Sequence, residues 1–372
     1  QQEGYRWAEL SPEGESTGFN ILNSSSTGIE FENTLLQENV VENQNLLNGS
    51  GVAAGDVDGD GWVDLYFTSL DGSNKLYKNR GGLEFEDITQ ESGVAHENVN
   101  STGAVFADVD GDRDLDLLVT AMSKPNALYI NDGTGTFALK EDSGLQKAKG
   151  SMTMALSDVD GDGDLDLYIT NYKERQAKDI FDLRELSIEN LTRRTDDGFE
   201  IRPPYEQHFA LLQDEDGYNQ RELGEIDELY INRGDGTFQV AENPEQIFLD
   251  KDGNPQGLDL DWGLAARFAD MNGDGLQDLY VCNDYWTPDR IWLSRGDGTF
   301  QAMDELGIRN TSFYSMAIDF SDVNNDGALD FFITEMLGET HQERMRQLVP
   351  NDPVYERRTE DRPQYNRNSF YM

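Results

Sequence analysis

Short runs of apolar and small residues, broken by segments rich in Asp, Gly and Asn, set the rhythm of this chain. GVAAG (51–55), LYFT (65–68), LYKN (76–79) and a segment opening at Phe85 follow one another, and the same order recurs downstream. Small or β-branched and aromatic residues in such runs, bounded by turn residues, predict short strands rather than helices. No amphipathic stretch long enough for a crossover helix separates them, so an alternating strand–helix fold is excluded.

The runs belong to a repeat, D-x-D-x-D-G-x-x-D followed by an apolar strand. It reads DVDGDGWVDLYFT from Asp56, DVDGDRDLDLLVT from Asp108, DVDGDGDLDLYIT from Asp158, DMNGDGLQDLYVC from Asp270 and DVNNDGALDFFIT from Asp322. A strand-and-turn segment follows each loop: NKLYKNRGGLEFEDIT, NALYINDGTGTFAL, ELYINRGDGTFQV, RIWLSRGDGTFQA, and a partial NSFYM from Asn368. Only one such segment lies between the third and fourth loops. That stretch therefore reads as one repeat carrying an insertion, roughly 173–227, and a second insertion spans roughly 337–367.

Four antiparallel strands in each repeat predict an all-β fold, a β-propeller of four-stranded blades with about five blades visible. The division expected is an N-terminal extension, 1–27, and a propeller, 28–372. GIEFEN (28–33) reads as a fourth strand with no blade ahead of it, and the chain stops after a third strand. These ends could close a ring of five, complete a neighbouring molecule, or mark a piece of a longer propeller. The insertion segments KDIFDLRELSIENL and HQERMRQL predict short helices on one face of the disc.

Charge changes the picture next. The chain of 372 residues has 73 acidic and 29 basic residues, a formal net charge of −44. An excess of that size repels itself and calls for neutralisation. The aromatic content of 10% argues against disorder. Nucleic acid and anionic membranes are unsuited to such a surface. No apolar run is long enough for a membrane span, and the single Cys282 excludes an intrachain disulfide framework.

The loops supply the neutralisation. Oxygen donors at alternate positions of a tight turn converge on one point, and calcium takes six to eight such oxygens. The first loop offers Asp56, Asp58 and Asp60, the backbone carbonyl of Trp62, and Asp64. The second offers Asp108, Asp110, Asp112, Asp114 and Asp116. The third offers Asp158, Asp160, Asp162, Asp164 and Asp166. The fourth offers Asp270, Asn272, Asp274, Leu276 and Asp278, and the fifth Asp322, Asn324, Asp326, Ala328 and Asp330. Residues at the position of Trp62 give a main-chain oxygen. About five Ca²⁺ ions would bring −44 to −34. Zinc would want His or Cys, and magnesium a strict octahedron. In the second loop Arg113 stands where the others have glycine, at a steric cost if that position needs a positive φ.

These units resemble FG-GAP/VCBS repeats, with closer similarity to the cartilage acidic protein/UnbV group of bacterial surface proteins and a wider one to integrin α-subunit propellers. TGIEFENTL, NGSGVAAGDVDGDGWVDLYF, NKLYKNRGGLEFEDIT and SMAIDFSDVNNDGALDFFITEM carry the resemblance. It implies a calcium-stabilised propeller, export, and roles in adhesion, carbohydrate contact or assembly.

Other features have plainer readings. Two RGD tripeptides, Arg233–Asp235 and Arg295–Asp297, sit in repeat turns where geometry explains them. Sequons start at Asn23, Asn48, Asn100, Asn190 and Asn310, open to N-linked glycans on a secreted protein, and Ser24–Thr27 to O-linked ones. His96, His208 and His341 are scattered. Asn171 and Tyr172, with Asn283, Asp284, Tyr285 and Trp286, place amides and aromatics at one rim, as a sugar site or as packing. The function expected is a non-enzymatic extracellular or cell-surface module, adhesive or structural, able to self-assemble into a fibre or array through its terminal strands. Its partners would be other copies of itself or surface glycans and proteins. The alternative is a propeller that binds or degrades polysaccharide.

Overall fold

The computed structural model describes residues 20–336 except 197, 215, 216, 305, 306 and 309, then 338, 340, 342, 343, 357–359, 362–365 and 367–372. His341 and most of the second insertion, including 344–348 of HQERMRQL, lie outside the described residues.

Each repeat folds as an antiparallel sheet whose strands follow chain order. Unit one comprises Val52–Gly55, Asp64–Phe67, Lys75–Asn79 and Phe85–Asp87. Unit two comprises Ser101–Ala107, Asp116–Lys124, Ala127–Asn131 and Phe137–Leu139. Unit three comprises Lys149–Ser157, Asp166–Asn171, Glu228–Asn232 and Phe238–Val240. Unit four comprises Gly263–Ala269, Asp278–Asn283, Arg290–Ser294 and Phe300–Ala302. Unit five shows three strands, Ser315–Ser321, Asp330–Glu335 and Ser369–Tyr371. Registers correspond: Tyr66 faces Leu76, Leu118 faces Leu128, Tyr168 faces Leu229, Tyr280 faces Ile291 and Phe332 faces Phe370.

Strand alternation sends successive side chains to opposite faces, and both faces of an inner unit meet a neighbour. The core therefore lies in four seams. Tyr66 and Leu76 of unit one pack on Leu117, Val119, Tyr129 and Phe137 of unit two. Leu118 and Leu128 pack on Leu167, Ile169, Tyr230 and Phe238. Tyr168 and Leu229 pack on Leu279, Val281, Trp292 and Phe300. Tyr280, Ile291 and Cys282 pack with Ile318 and Ile333. Each fully buried Leu or Ile stabilises by about 1.5–3 kcal/mol. The first strands of all five units, at Ala53, Ala104, Thr153, Ala266 and Ala317, line one cavity of about 470 Å³. The result is a β-propeller-like, all-β fold with few and short helices.

GIEFEN differs from its expectation. Residues 28–33 form no strand. They lie on unit one instead: Phe31 stacks on Phe67 at 5.0 Å, Glu30 N–H donates to the Tyr77 hydroxyl, and Asn33 Oδ1 accepts Leu70 N–H. Gly28 (φ +77°) presses on the Phe85 carbonyl, which a Cβ would meet at 2.3 Å. Aromatic packing, not a ladder, holds this segment.

The first insertion leaves unit three between its second and third strands. It holds two four-residue helices, Ala177–Ile180 and Ile188–Leu191, within the segment expected to be helical. Two hairpins, Thr192–Thr195 with Gly198–Ile201 and Phe209–Asp214 with Gly217–Glu222, follow, with a short 3₁₀ helix, Tyr205–Gln207, between them. Ala177, Leu191 and Phe209 form its small core.

Candidate metal centres

Every D-x-D-x-D loop joins the first strand of a unit to the second, and the five loops share one hydrogen-bond plan. The opening aspartate folds back on its own turn. Asp56 accepts the amides of Asp60 and Gly61, and Asp108 those of Gly111 and Arg113. Asp158 accepts those of Gly161 and Gly163. Asp270 and Asp322 do the same with Gly275 and Gly327. Asp60, Asp112, Asp162, Asp274 and Asp326 each accept the amide two residues on.

The closing aspartate ties the loop to the sheet. Asp64 accepts Val57 N–H on one oxygen and Asn79 N–H on the other. Asp116 takes Val109 and Asn131, Asp166 takes Val159 and Asn232, and Asp278 takes Met271 and Ser294. Asp330 accepts Val323 N–H. These carboxylates are buried. Each oxygen keeps a lone pair for a further partner.

Carboxylate oxygens within 4.8 Å of one another come from Asp56, Asp58 and Asp64, from Asp108, Asp110 and Asp116, and from Asp158, Asp160 and Asp166. Loops four and five have Asn272 and Asn324 at the third position and supply two carboxylates and an amide oxygen there instead. Burial raises the Asp116 carboxyl to about 6, against the pull of the Asn131 and Val109 amides, and the charges of Asp110 and Asp112 add to the rise. Asp166 rises to about 6 for the corresponding reasons. Asp64, Asp110, Asp160 and Asp278 are also raised, burial first and loop carboxylates adding. Asp58 Oδ1 is buried with no hydrogen-bond partner. An all-oxygen donor set that repels itself, with an orphaned buried oxygen, fits a hard divalent cation.

The seventh position turns outward. Trp62 covers Gly81 and Leu276 covers Gly296, at 3.3 and 3.2 Å from the place of an added Cβ. Asp114 and Asp164 reach the equivalent glycines, Gly133 and Gly234, at 2.4 and 2.5 Å. Their side chains lie over these turns, as those of Trp62 and Leu276 do. Arg113 has φ +79°, where Gly61, Gly163, Gly275 and Gly327 lie between +88° and +99°.

The loops also stitch units together. Asn131 Nδ2 donates to Leu115 O in its own unit and to Val57 O in the first loop. Asn232 Nδ2 bridges Leu165 O and Val109 O in the same way. Sequence reasoning missed this role, although the Asn of LY-x-N recurs at 79, 131 and 232. It also missed the residue opening each third strand. Asn74, Asn126, Asp227, Asp289 and Asn368 all take part: the first two accept Ser69 and Ala121 amides, and the others accept Asn171, Asn283 and Glu335 amides. Asp227 is buried and raised to about 7 by that burial.

The amide–aromatic rim is mostly interior. Tyr172 donates to Asp284 Oδ2 at 2.7 Å and packs on Trp262, while Trp286 Nε1 donates to Glu222 O. Asn171 and Asn283 are fully buried, and Tyr285 alone of the six is exposed. Among the sequons, Thr102, Thr192 and Ser312 are buried, whereas Asn23 and Ser25 are exposed.

Three segments, 56–119, 108–169 and 270–333, match the FG-GAP-like repeat family, and between them they contain all five loops. The chain carries FG-GAP-like repeats. No curated protein matches it. Among solved structures, a lectin from Agrocybe aegerita that recognises non-reducing terminal N-acetylglucosamine shares 18% identity at a TM-score of 0.31, over 76% of this chain and 73% of its own. The V. cholerae biofilm matrix protein Bap1 shares 14% at 0.32, over 76% of this chain and 34% of its own. An N-acetylgalactosamine deacetylase from F. plautii shares 7% at 0.39, over 87% of each chain. Likenesses this loose decide neither fold nor ligand. No helix among the described residues is long and apolar enough to cross a membrane.

Proposed function

We propose that this protein is an extracellular or cell-surface structural module whose FG-GAP-like units are locked by calcium. The observation that carries the reading is the shared loop plan: an acidic oxygen cage whose closing aspartate holds the sheet and whose second residue, in loops one and two, is bonded to the next unit. Bound calcium would supply charge neutralisation at the cage. The chain's own residues do the rest, aiming oxygens inward and passing the loop's rigidity to strand three and across the seam. Loops of this general kind work at about 10⁻⁴–10⁻³ M calcium, a range met outside cells. A non-catalytic role accords with the use of the perturbed acids: Asp227, Asp284 and Glu335 are all engaged by tyrosine, serine or main-chain donors inside the fold.

Assembly belongs to the same proposal. Phe332 and Phe370 are 41% and 47% exposed, whereas their counterparts Leu118 and Leu128, covered by the following unit, are at 1% and 0%. The bare face suits another unit of the same kind. Calorimetric titration with calcium, followed by light scattering in millimolar calcium and after chelation, tests both parts. Binding at several sites with a rise in thermal stability supports the calcium lock. Absence of binding would sink it. A concentration-dependent mass that Phe332→Ser abolishes supports assembly, and an invariant monomer removes it.

A further inference from the structure

Unit one departs from the shared loop plan at a single side chain. In loops two to five the third residue accepts the amide of the fifth: Asp110 from Asp112, Asp160 from Asp162, Asn272 from Asp274 and Asn324 from Asp326. In loop one the amide of Asp60 goes to Asp56, a bond that loops four and five also make, but not to Asp58. Asp58 is turned to Lys78, whose Nζ lies against Asp58 Oδ2 and 3.1 Å from Asp60 Oδ2. Lys78 sits on the third strand opposite Glu86, in the register that puts Ile130 opposite Ala138, Ile231 opposite Gln239 and Leu293 opposite Gln301. Those counterparts are apolar, and so is Met372 in unit five. Glu86 is taken by Arg80, so the only ion-pair partners of Lys78 among the described residues are loop carboxylates. The lysine side chain is 16% exposed.

We infer that Lys78 is a tethered counter-cation for the first loop, making it the weakest calcium site of the five and the one that keeps its shape when calcium is withdrawn. The inference rests on the calcium reading of the loops. An ammonium on Asp58 and Asp60 offsets the repulsion that would otherwise open the loop, and it opposes a second cation entering the same cage. Asp58 Oδ1, Asp56 and Asp64 remain as donors, so entry is weakened rather than blocked.

Trp62, at the seventh position of loop one, makes the test specific to that site. Terbium would be titrated against the full chain, with Trp62-sensitised emission as the readout and calcium as competitor. Trp62→Phe, which removes the antenna, identifies the signal. Lys78→Met and Lys78→Gln are each expected to raise the affinity of loop one by about tenfold or more, while Lys78→Arg leaves it near wild type. In chelator, amide exchange across 56–64 is expected to run about tenfold faster in Lys78→Met than in wild type, with 158–166 unchanged. Unchanged affinity in both neutral variants overturns the inference even if the other loops bind. Faster exchange without tighter binding also overturns it, since that marks a merely structural lysine. Calorimetry that finds no calcium site in wild type or variants overturns the calcium reading itself, and this inference with it.

Discussion

At Arg113 a long side chain occupies a left-handed backbone position that its four counterparts give to glycine. Holding an L-residue there costs roughly 1–2 kcal/mol. Arg113→Gly is therefore expected to raise stability by about 1 kcal/mol, less the greater entropy of glycine in the unfolded chain. A shift of the urea midpoint at unchanged slope would show it. Asp227 offers a second case. Its buried carboxyl, raised to about 7, accepts Asn171 N–H and the Tyr168 hydroxyl. A raised folded-state value favours the protonated form, so its stabilising share is present below the unfolded value near 4 and is lost as pH rises through about 7. Asp227→Asn should flatten the stability profile between about pH 4 and 7, read from melting temperatures. Asn74 and Asn126, at the same place in units one and two, show that the amide fits: Asn74 Nδ2 donates to the Tyr66 hydroxyl. A profile unchanged by the substitution would assign the pH dependence elsewhere.

Each element is a unit plus its loop, and the seam between elements is where energy is stored. Asn232 Nδ2 serves two carbonyls on either side of one seam, buried from water. Asn232→Ala leaves both short of a donor and should cost about 1–3 kcal/mol. Ser294 holds the same register position in unit four, and Ser294→Ala should cost less, since its short hydroxyl accepts Gly296 N–H within its own turn. Chemical denaturation of the two variants side by side decides it. Strands and loops were legible in the sequence because their demands are local. A turn with positive φ wants glycine, and a strand that buries both faces wants an unbroken apolar run. The seams were not legible. LY-x-N announces a recurring Asn, but only the placement of a neighbouring loop shows that Asn131 reaches Val57 O. GIEFEN misled for the converse reason. Its alternation is that of an extended chain, and an extended chain can pack its Phe31 on Phe67 without joining a ladder. Lys78 gave no sign, because which loop its stem reaches depends on the hairpin register.

For the whole molecule the governing quantity is charge. A chain at −44 that places 20 of its 73 acids in five short loops should respond to calcium more strongly than to monovalent salt. Linkage adds about RT ln(1 + [Ca]/Kd) per independent site. Melting temperature is expected to climb with calcium well after sodium chloride has ceased to raise it. An equal response to both salts would reduce the cages to screened surface charge.

Cys282 lies fully buried on the second strand of unit four, against Ile291, Ile318 and Ile333 of the last seam. Being the only thiol in the chain, it is a clock. Its alkylation can proceed only as often as that seam parts, so the labelling rate of the untouched protein times the opening of one joint in the arc. Followed across calcium concentrations, that rate tells whether the ions hold all units as a single cooperative block or let the fourth and fifth come apart on their own.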